Sequence, residues 1–288
     1  MKGILNYKFR ALCMALSVLG CATVAFSEDM PHQPQVPAAV SSAALALPVA
    51  SAVDLKPDPS GAATGSASDV IGASANAPTV EDLQKSAGSE PLALKLSDVV
   101  GHNRVAINFI WTLMCGFLVF FMQAGFAMVE TGFTRAKNAA HTMAMNLMVF
   151  VFGVLGYWVC GFALQMGGVG SLPLSGGTGL LNGEFIMHLF GKDFGLFGTT
   201  GFFLSGISYD ASIITLFLFQ VVFMDTAATI PTGAMAERWT FKSFVVFSFF
   251  ISMFTYPLYA NWIWGGGWLS QLGKNFGLGH GVLVFAGS

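Results

Sequence analysis

Long apolar stretches separated by short polar segments dominate the last two thirds of the chain. Four of them are long enough to cross a bilayer, because about 20 apolar residues in a helix span its hydrocarbon core. They run over 105–129, 141–164, 211–236 and 243–264. Another apolar stretch begins at residue 280 and continues to the last residue, 288. The pattern predicts an all-α integral membrane protein with four spans and the beginning of a fifth.

The segments outside these stretches predict little regular structure. Residues 28–100 are rich in Ala, Ser, Pro and Gly without a lasting period. This composition buries too little apolar surface to offset chain entropy, so we expect a disordered periplasmic segment with a weak helix near 92–100. Residues 166–210 are Gly-rich and contain several charges. They predict a loop, with 185–204 along the membrane interface.

The first 27 residues have the pattern of a secretory signal. Three basic residues precede an apolar run at 11–26, and Ala25 and Ser27 are small residues at the positions that signal peptidase prefers. We therefore predict a cleaved signal peptide over 1–27. An uncleaved membrane anchor is the alternative interpretation.

Basic residues in the short loops predict the orientation. Arg135 and Lys137 lie between the first two predicted spans, and Arg238 and Lys242 lie between the third and fourth. Under the positive-inside rule both loops are cytoplasmic. The N-terminus and the 166–210 loop are then outside, as a cleaved signal requires. The prediction is a multi-pass protein of the inner (cytoplasmic) membrane.

The amino-acid composition supports a membrane protein and argues against a soluble domain or a nucleic-acid-binding protein. The chain is 54% hydrophobic and only 10% charged, whereas soluble domains contain about 25% charged residues. Its net charge of −2 gives no basic footprint for nucleic acid. The four cysteines show neither metal-ligand spacing nor a disulfide framework. We expect no metal, no cofactor and no enzyme activity.

Two acidic residues in or beside the spans are candidates for chemistry. Asp225 is the only acid well inside a predicted span, and such residues are costly and often functional. It could handle protons or substrate, or it could tie two helices together. Glu130 ends the first predicted span, within reach of Arg135. We expect these two residues to form an interfacial ion pair.

Three aromatic side chains predict a site for a small cation. Phe219 and Phe223 are four residues apart and share a helix face, where they could form a dry gate or pack in the core. Trp264 precedes three glycines that would leave one ring face open. An open indole face attracts a cation by about 0.5–2 kcal/mol. A plain interfacial anchor is the alternative for Trp264.

Four segments together resemble the ammonium transporter family (Amt/Mep, relatives of Rhesus proteins). They are Met122–Asn138, Phe219–Arg238, Tyr256–Leu269 and Phe285–Ser288. The resemblance covers residues 101–288. It implies the first five-span repeat of an eleven-span fold, truncated in span five, in a subunit of a homotrimer. A Rhesus-like gas channel is a further alternative, although Trp264 and its glycines favour the ammonium branch.

The resemblance also implies roles for the aromatic residues. Trp264 would form the outer recruitment site for ammonium, Phe219 would flank it, and Phe223 would belong to a gate beneath it. Ammonium would lose a proton near this gate, and ammonia would continue along a hydrophobic pore for nitrogen uptake. A PII-type regulatory protein is the partner implied for the full-length form.

One position departs from the family pattern. The family places an acid before the Phe-Ala-Gly of span five, and here that position is Val284. Our hypothesis is that Asp225 supplies the missing carboxylate from the third span. The alternative is an ammonium sensor that hardly conducts, with a signalling domain located further along the full-length chain.

Overall fold

The computed structural model describes residues 58–167, 184–279 and 282. The predicted signal peptide, the first part of the 28–100 segment and most of the predicted fifth span, including Val284, lie outside the described residues. Within the described part, the chain is mostly helical and contains one two-stranded sheet.

Among the described residues, four helices are long and apolar enough to cross a membrane, which agrees with the four complete spans predicted from the sequence. They are called spans 1 to 4 in chain order and comprise Pro91–Phe133, Ala136–Met166, Ala211–Ala234 and Phe241–Ile263. Spans 2 and 4 each contain one π-helical turn, Tyr157–Gly161 and Ile251–Thr255. A main apolar core lies between the four spans and includes Met145, Tyr157, Met224 and Phe244.

Span 1 is much longer than predicted. It has 43 residues, which at about 1.5 Å per residue gives roughly 65 Å, twice the hydrocarbon thickness of about 30 Å. Pro91 occupies the first helical position, where its missing N–H is not needed. The charges at Lys95, Asp98 and Arg104 ended the predicted span. They do not end the helix, because charged side chains are compatible with helix outside the bilayer.

Residues 58–90 also differ from the expected disorder. Asp58 organises their first turn, because its carboxylate accepts hydrogen bonds from the Gly61 and Ala63 amides and from the Thr64 hydroxyl. The Asp58 amide in turn donates to Asp210 Oδ2 at 2.9 Å, just before span 3. These polar contacts order a segment whose apolar content is low.

The rest of this segment packs against the extended part of span 1. A short helix, Val80–Ser89, begins with a capping box formed by Thr79 and Asp82. Ala67, Val70 and Leu83 form a small apolar cluster. The Ala67 amide donates to Asp98 Oδ1 at 3.1 Å. The composition of the segment did not predict this structure, because only three apolar side chains and a few hydrogen bonds to helix ends stabilise it.

A β-hairpin occupies part of the connection between spans 2 and 3. Strands β1 (Glu184–Leu189) and β2 (Lys192–Gly198) pair antiparallel around a turn at Phe190 and Gly191. Both turn residues have positive φ, 53° and 69°, which suits the two-residue hairpin turns that follow strand twist. The sequence predicted an irregular interfacial segment here, because the alternation of apolar residues is obscured by Gly and Phe.

The short loops at the ends of the spans come together at one end of the molecule. Arg135, between spans 1 and 2, forms a 2.8 Å ion pair with Glu237, which follows span 3. The Arg135 amide also donates to Glu237 Oε1 at 2.8 Å. The two loops that carry the basic residues therefore share one side, as a single topology requires. We call this the Arg135 end; the hairpin and Trp264 are at the opposite ends of their spans.

Candidate functional site

Phe219 and Phe223 contact each other on one face of span 3. Their ring centroids are 4.9 Å apart and the rings are inclined by 58°. Both side chains are half-buried. Span 1 approaches closely at Gly116, where an added Cβ would lie 3.7 Å from Phe219 Cα. The contact is the one that i, i+4 spacing predicts; the role of the pair as a gate stays a prediction.

Trp264 lies directly after the last helical residue of span 4 and packs, half-buried, against the main core. The following glycines serve a purpose that the sequence did not indicate. A Cβ at Gly265 would lie 1.9 Å from the Gln165 carbonyl oxygen, and one at Gly267 would lie 2.6 Å from Asn261 Oδ1. These glycines therefore let the chain approach span 2 and the last turn of span 4.

Buried amide side chains link the two aromatic groups. Gln165 Nε2 donates to Gln220 Oε1 at 2.8 Å, and Asn261 Nδ2 donates to the Gln165 carbonyl at 2.9 Å. The Tyr157 hydroxyl donates to Gln165 Oε1. Gln220 is adjacent to Phe219, and Asn261 is three residues before Trp264. Sequence reasoning missed this network, although uncharged polar residues inside apolar spans were the available signal.

Glu184 brings an acid to the hairpin side of this region. It opens β1 and bonds to the Asn261 side chain. Burial raises the pKa of Glu184, and the hydrogen bond with Asn261 opposes part of that rise. The close approach of Gly195, whose Cβ would lie 2.4 Å from the Glu184 carboxyl carbon, leaves the acid little room. Glu184 thus joins the hairpin to span 4.

Asp225 is buried in span 3, with 1% of its surface exposed. Its Oδ1 atom has no hydrogen-bond partner among the described residues. Two helical positions separate Asp225 from Phe223, which is about 200° of rotation. The structure therefore brings Phe219 and Phe223 together but turns Asp225 away from them. Its part in proton or ammonium handling stays a prediction.

The predicted ion pair between Glu130 and Arg135 is wrong. Glu130 is only 9% exposed and accepts a 2.7 Å hydrogen bond from Asn146 Nδ2 of span 2. It also accepts a bond from the Gly233 amide of span 3. Arg135 lies beyond the end of span 1, where the chain has left the helix at Thr134, and it reaches Glu237 instead.

The fold and the site together define a multi-span membrane protein with an aromatic pair in span 3 and a Trp–Gly turn after span 4. No group of three or more potential metal ligands occurs in the described ranges. The sequence profile of the Ammonium Transporter Family matches residues 110–288. The chain belongs to this family, which is a family of transporters and not of enzymes.

Known relatives agree with the family assignment. Ammonium transporter Amt2 of Archaeoglobus fulgidus is 47% identical over 184 residues, which cover 63% of this chain and 34% of that protein. Ammonium transporter 1 member 3 of Solanum lycopersicum is 39% identical over 184 residues, covering 64% and 35%. The chain thus spans about a third of the length of these curated relatives.

Among solved structures, a protein described as a sensor Amt protein is similar to this chain. The similarity has a TM-score of 0.46 at 32% identity, and it covers 59% of this chain and 38% of that one.

Proposed function

We propose that this chain forms the outer recruitment site and the gate of an ammonium transporter. The observation that carries the proposal is the Phe219–Phe223 ring contact in span 3, within the segment that the family profile matches. Phe219 is one helical turn closer to the Trp264 end than Phe223 is. A cation that enters from this end meets the residues in the order of recruitment and then gate.

Trp264 gathers ammonium through the face of its indole ring. An indole attracts a small cation by about 0.5–2 kcal/mol, depending on how far the cation is desolvated. The Gln220–Gln165–Asn261 bonds connect span 3, at the residue after Phe219, through span 2 to the end of span 4. They thereby fix Phe219 relative to the turn that carries Trp264.

The aromatic pair favours passage of a neutral molecule. A charge costs several kcal/mol in the membrane core, and two contacting Phe rings offer no polar partner to reduce this cost. Ammonium therefore gives up its proton at the gate, and ammonia moves on along an apolar path. Asp225 is the candidate group for handling the proton, since Val284 stands at the position where the family has an acid. Because the Asp225 side chain lies about 200° around span 3 from Phe223, it receives the proton after the proton has left the gate, not directly at the ring pair.

A transport assay tests this function. Currents after an ammonium jump would be recorded from the full-length protein in proteoliposomes on a solid support. Trp264→Leu should raise the ammonium concentration for half-maximal current by about 2- to 30-fold, the equivalent of the lost cation–π energy. The matched control is Trp111→Leu, because Trp111 is an exposed residue of span 1. An unchanged half-maximal concentration in Trp264→Leu would contradict the recruitment role.

Two further variants test whether Asp225 replaces the acid that the family has at the position of Val284. Asp225→Asn should abolish the current if Asp225 handles the proton. Val284→Asp should leave the current at least as large as in the wild type. A silent wild type beside a conducting Val284→Asp would favour the second candidate, an ammonium sensor. The observation behind that candidate is the apolar Val284 itself, and a signalling domain in the complete reading frame would support it.

The remaining features of the proposal concern the whole protein. We place residues 1–27 in a cleaved signal peptide, 28–100 outside the cytoplasm and 101–288 in the first repeat of an eleven-span fold. The subunits form a homotrimer in the inner membrane, and a PII-type protein regulates the full-length form. The support for these features is the resemblance and the charge pattern of the loops.

A further inference from the structure

Spans 1, 2 and 3 share a continuous strip of buried polar side chains, which we call the polar seam. It lies on the face of span 3 opposite Phe223 and extends toward the Arg135 end. Its members all have side chains that are buried or half-buried. They are Gln123 and Glu130 of span 1, Thr142 and Asn146 of span 2, and Asp225 and Thr229 of span 3.

Hydrogen bonds connect the three spans along this seam. The Thr229 hydroxyl is 3.0 Å from Gln123 Oε1 and 2.9 Å from the Asp225 carbonyl oxygen. Gln123 Nε2 donates to the Asn146 carbonyl. Asn146 Nδ2 then donates to Glu130 Oε2 at 2.7 Å. These contacts connect the backbone carbonyl of Asp225 with the Glu130 carboxylate, and the Asp225 carboxyl group itself starts the seam with an oxygen that has no partner in the described part of the chain.

These residues follow one another along the axis of span 3. Asp225, Thr229 and Gly233 are four residues apart and share one face of span 3. Thr229 meets Gln123, and Gly233 meets Glu130 one turn further on. The eight residue steps from Asp225 to Gly233 cover about 12 Å of helix axis. The seam therefore links the middle of span 3 with the Arg135 end.

Three polar atoms of the seam have no hydrogen-bond partner among the described residues. They are Asp225 Oδ1, Asn146 Oδ1 and Thr142 Oγ1, on side chains that are 1%, 0% and 0% exposed. An unsatisfied buried polar group costs about 1–3 kcal/mol. Internal water is the usual partner of such groups, typically with about three hydrogen bonds to each molecule. Together these atoms point to a small hydrogen-bonding ligand rather than to apolar packing.

We propose that the polar seam binds a file of water molecules and exchanges protons between Asp225 and the Arg135 end through Glu130. A proton leaves the Asp225 carboxyl group as one O–H bond breaks, and a water oxygen accepts it. The file passes a proton to the Glu130 carboxylate, which releases it at the Arg135 end. Asp225 is then a carboxylate again and can accept another proton. The source of that proton rests on the proposed function.

Hydrogen–deuterium exchange tests the seam without any assay of transport. The infrared band of the Asp225 carboxyl group is identified by its loss in Asp225→Asn, and its shift after transfer to D₂O is timed. Thr229→Val removes a seam hydroxyl at nearly constant shape and should slow the exchange at least tenfold. Asn146→Leu, which removes the link to Glu130, should act in the same direction.

Thr226→Val is the matched control. Thr226 follows Asp225 directly but lies outside the seam. Its hydroxyl donates a 3.0 Å hydrogen bond to the Val222 carbonyl oxygen of the same helix. This variant should exchange like the wild type. Equal exchange times in Thr229→Val and Thr226→Val would overturn the proposal, as would exchange in the wild type no faster than that of amides in the core of span 3.

A transport measurement separates failure of the seam from failure of the proposed function. Ammonia crossing alone moves no charge, whereas ammonia plus a proton through the seam moves one charge. Thr229→Val should therefore lower the charge moved per ammonia taken up at least tenfold while uptake persists. An unchanged ratio would overturn the seam. Absent uptake in the wild type would overturn the proposed function alone, and the infrared exchange would still decide the seam.

Discussion

The ion pair between Arg135 and Glu237 holds the two loops of the Arg135 end together. Glu237 has a positive φ of 66°, which is uncommon for a residue with a side chain. Its carboxylate accepts bonds from both the side chain and the amide of Arg135. The Arg135 side-chain bond is the largest of several contributions that lower the pKa of Glu237 from 4.5 to about 2. The contacts therefore offset a backbone conformation that is costly by itself.

The stability of this end should depend on pH in the acid range. Because the pKa of Glu237 is depressed by folding, its contribution is complete above about pH 4.5 and is lost as the pH falls toward 2. Glu237→Gln should lower the unfolding temperature in detergent at pH 7, with the difference from wild type shrinking below pH 4.5.

Glu90→Gln serves as the control for this titration. Glu90 precedes span 1, is exposed and makes no side-chain cap bond. At each pH in this range, the unfolding temperature of Glu90→Gln should be nearly the same as that of the wild type. A Glu237→Gln difference that persists undiminished at pH 3 would contradict the assigned role.

Residue-level sequence reasoning succeeded where a contact is local. Phe219 and Phe223 are one turn apart on one helix, so their contact follows from helix geometry. The Glu130–Arg135 pair was also argued from short separation, but it failed because the chain turns at Thr134. The partners Asn146 and Glu237 are 16 and 102 residues away. Such distant pairings require the packing of the spans, which no single segment encodes.

Among the elements, the extended part of span 1 depends on one glycine. An added Cβ at Gly101 would lie 1.8 Å from the carbonyl oxygen of Ser66. The turn Ala67–Val70 therefore packs directly on the helix backbone. Gly101→Ala should cost about 1–3 kcal/mol, as overpacking usually does, and should release residues 58–90 from the helix.

Limited proteolysis would measure this release. Cleavage within residues 58–90 should become faster in Gly101→Ala, whereas the membrane-spanning part stays protected. Gly125→Ala provides the comparison on the same helix, because nothing lies within 4 Å of a Cβ there. Equal cleavage rates in the two variants would show that Gly101 does not secure the contact.

The elements differ in how well the sequence predicted them. Spans 2, 3 and 4 followed from apolar length, because a bilayer demands it. The hairpin did not, since its strands are held by contacts from distant residues. Trp262 Nε1 donates to the Leu196 carbonyl at 3.0 Å, and the Trp268 amide donates to the Gly195 carbonyl at 2.9 Å. Phe185 and Phe197 stack with centroids 5.0 Å apart.

At the scale of the whole molecule, the loops on each side can be assigned by labelling. The charge pattern predicts that the Arg135 end is cytoplasmic and that the hairpin is outside. Lys192→Cys and Lys137→Cys, in a chain whose native cysteines are replaced by Ser, offer one exposed site on each side. An impermeant maleimide should label position 192 in intact spheroplasts and position 137 only after lysis.

The reverse labelling pattern would invert the topology. It would also move the Trp264 site to the cytoplasmic face and remove the basis for calling it an outer recruitment site. The structure establishes that the two basic loops meet through Arg135 and Glu237. The orientation of the protein in the bilayer is inferred from the charge distribution alone. The meeting of the two loops and the side of the membrane on which they lie are therefore tested separately.

The two π-helical turns have a consequence for how this protein can change over evolution. Each adds one residue to a turn, and they pack against each other, with Cys160 Sγ 3.6 Å from the Met253 carbonyl oxygen. If the five residues Ile251–Thr255 formed a regular helix without the loss of one residue, everything after them would rotate by about 100°. Asn261 and Trp264 would then point elsewhere, although no side chain of the site had been altered. The π-helical turn therefore sets the direction of the indole ring, and relatives with the same number of residues but a regular helix here should differ in what they recruit.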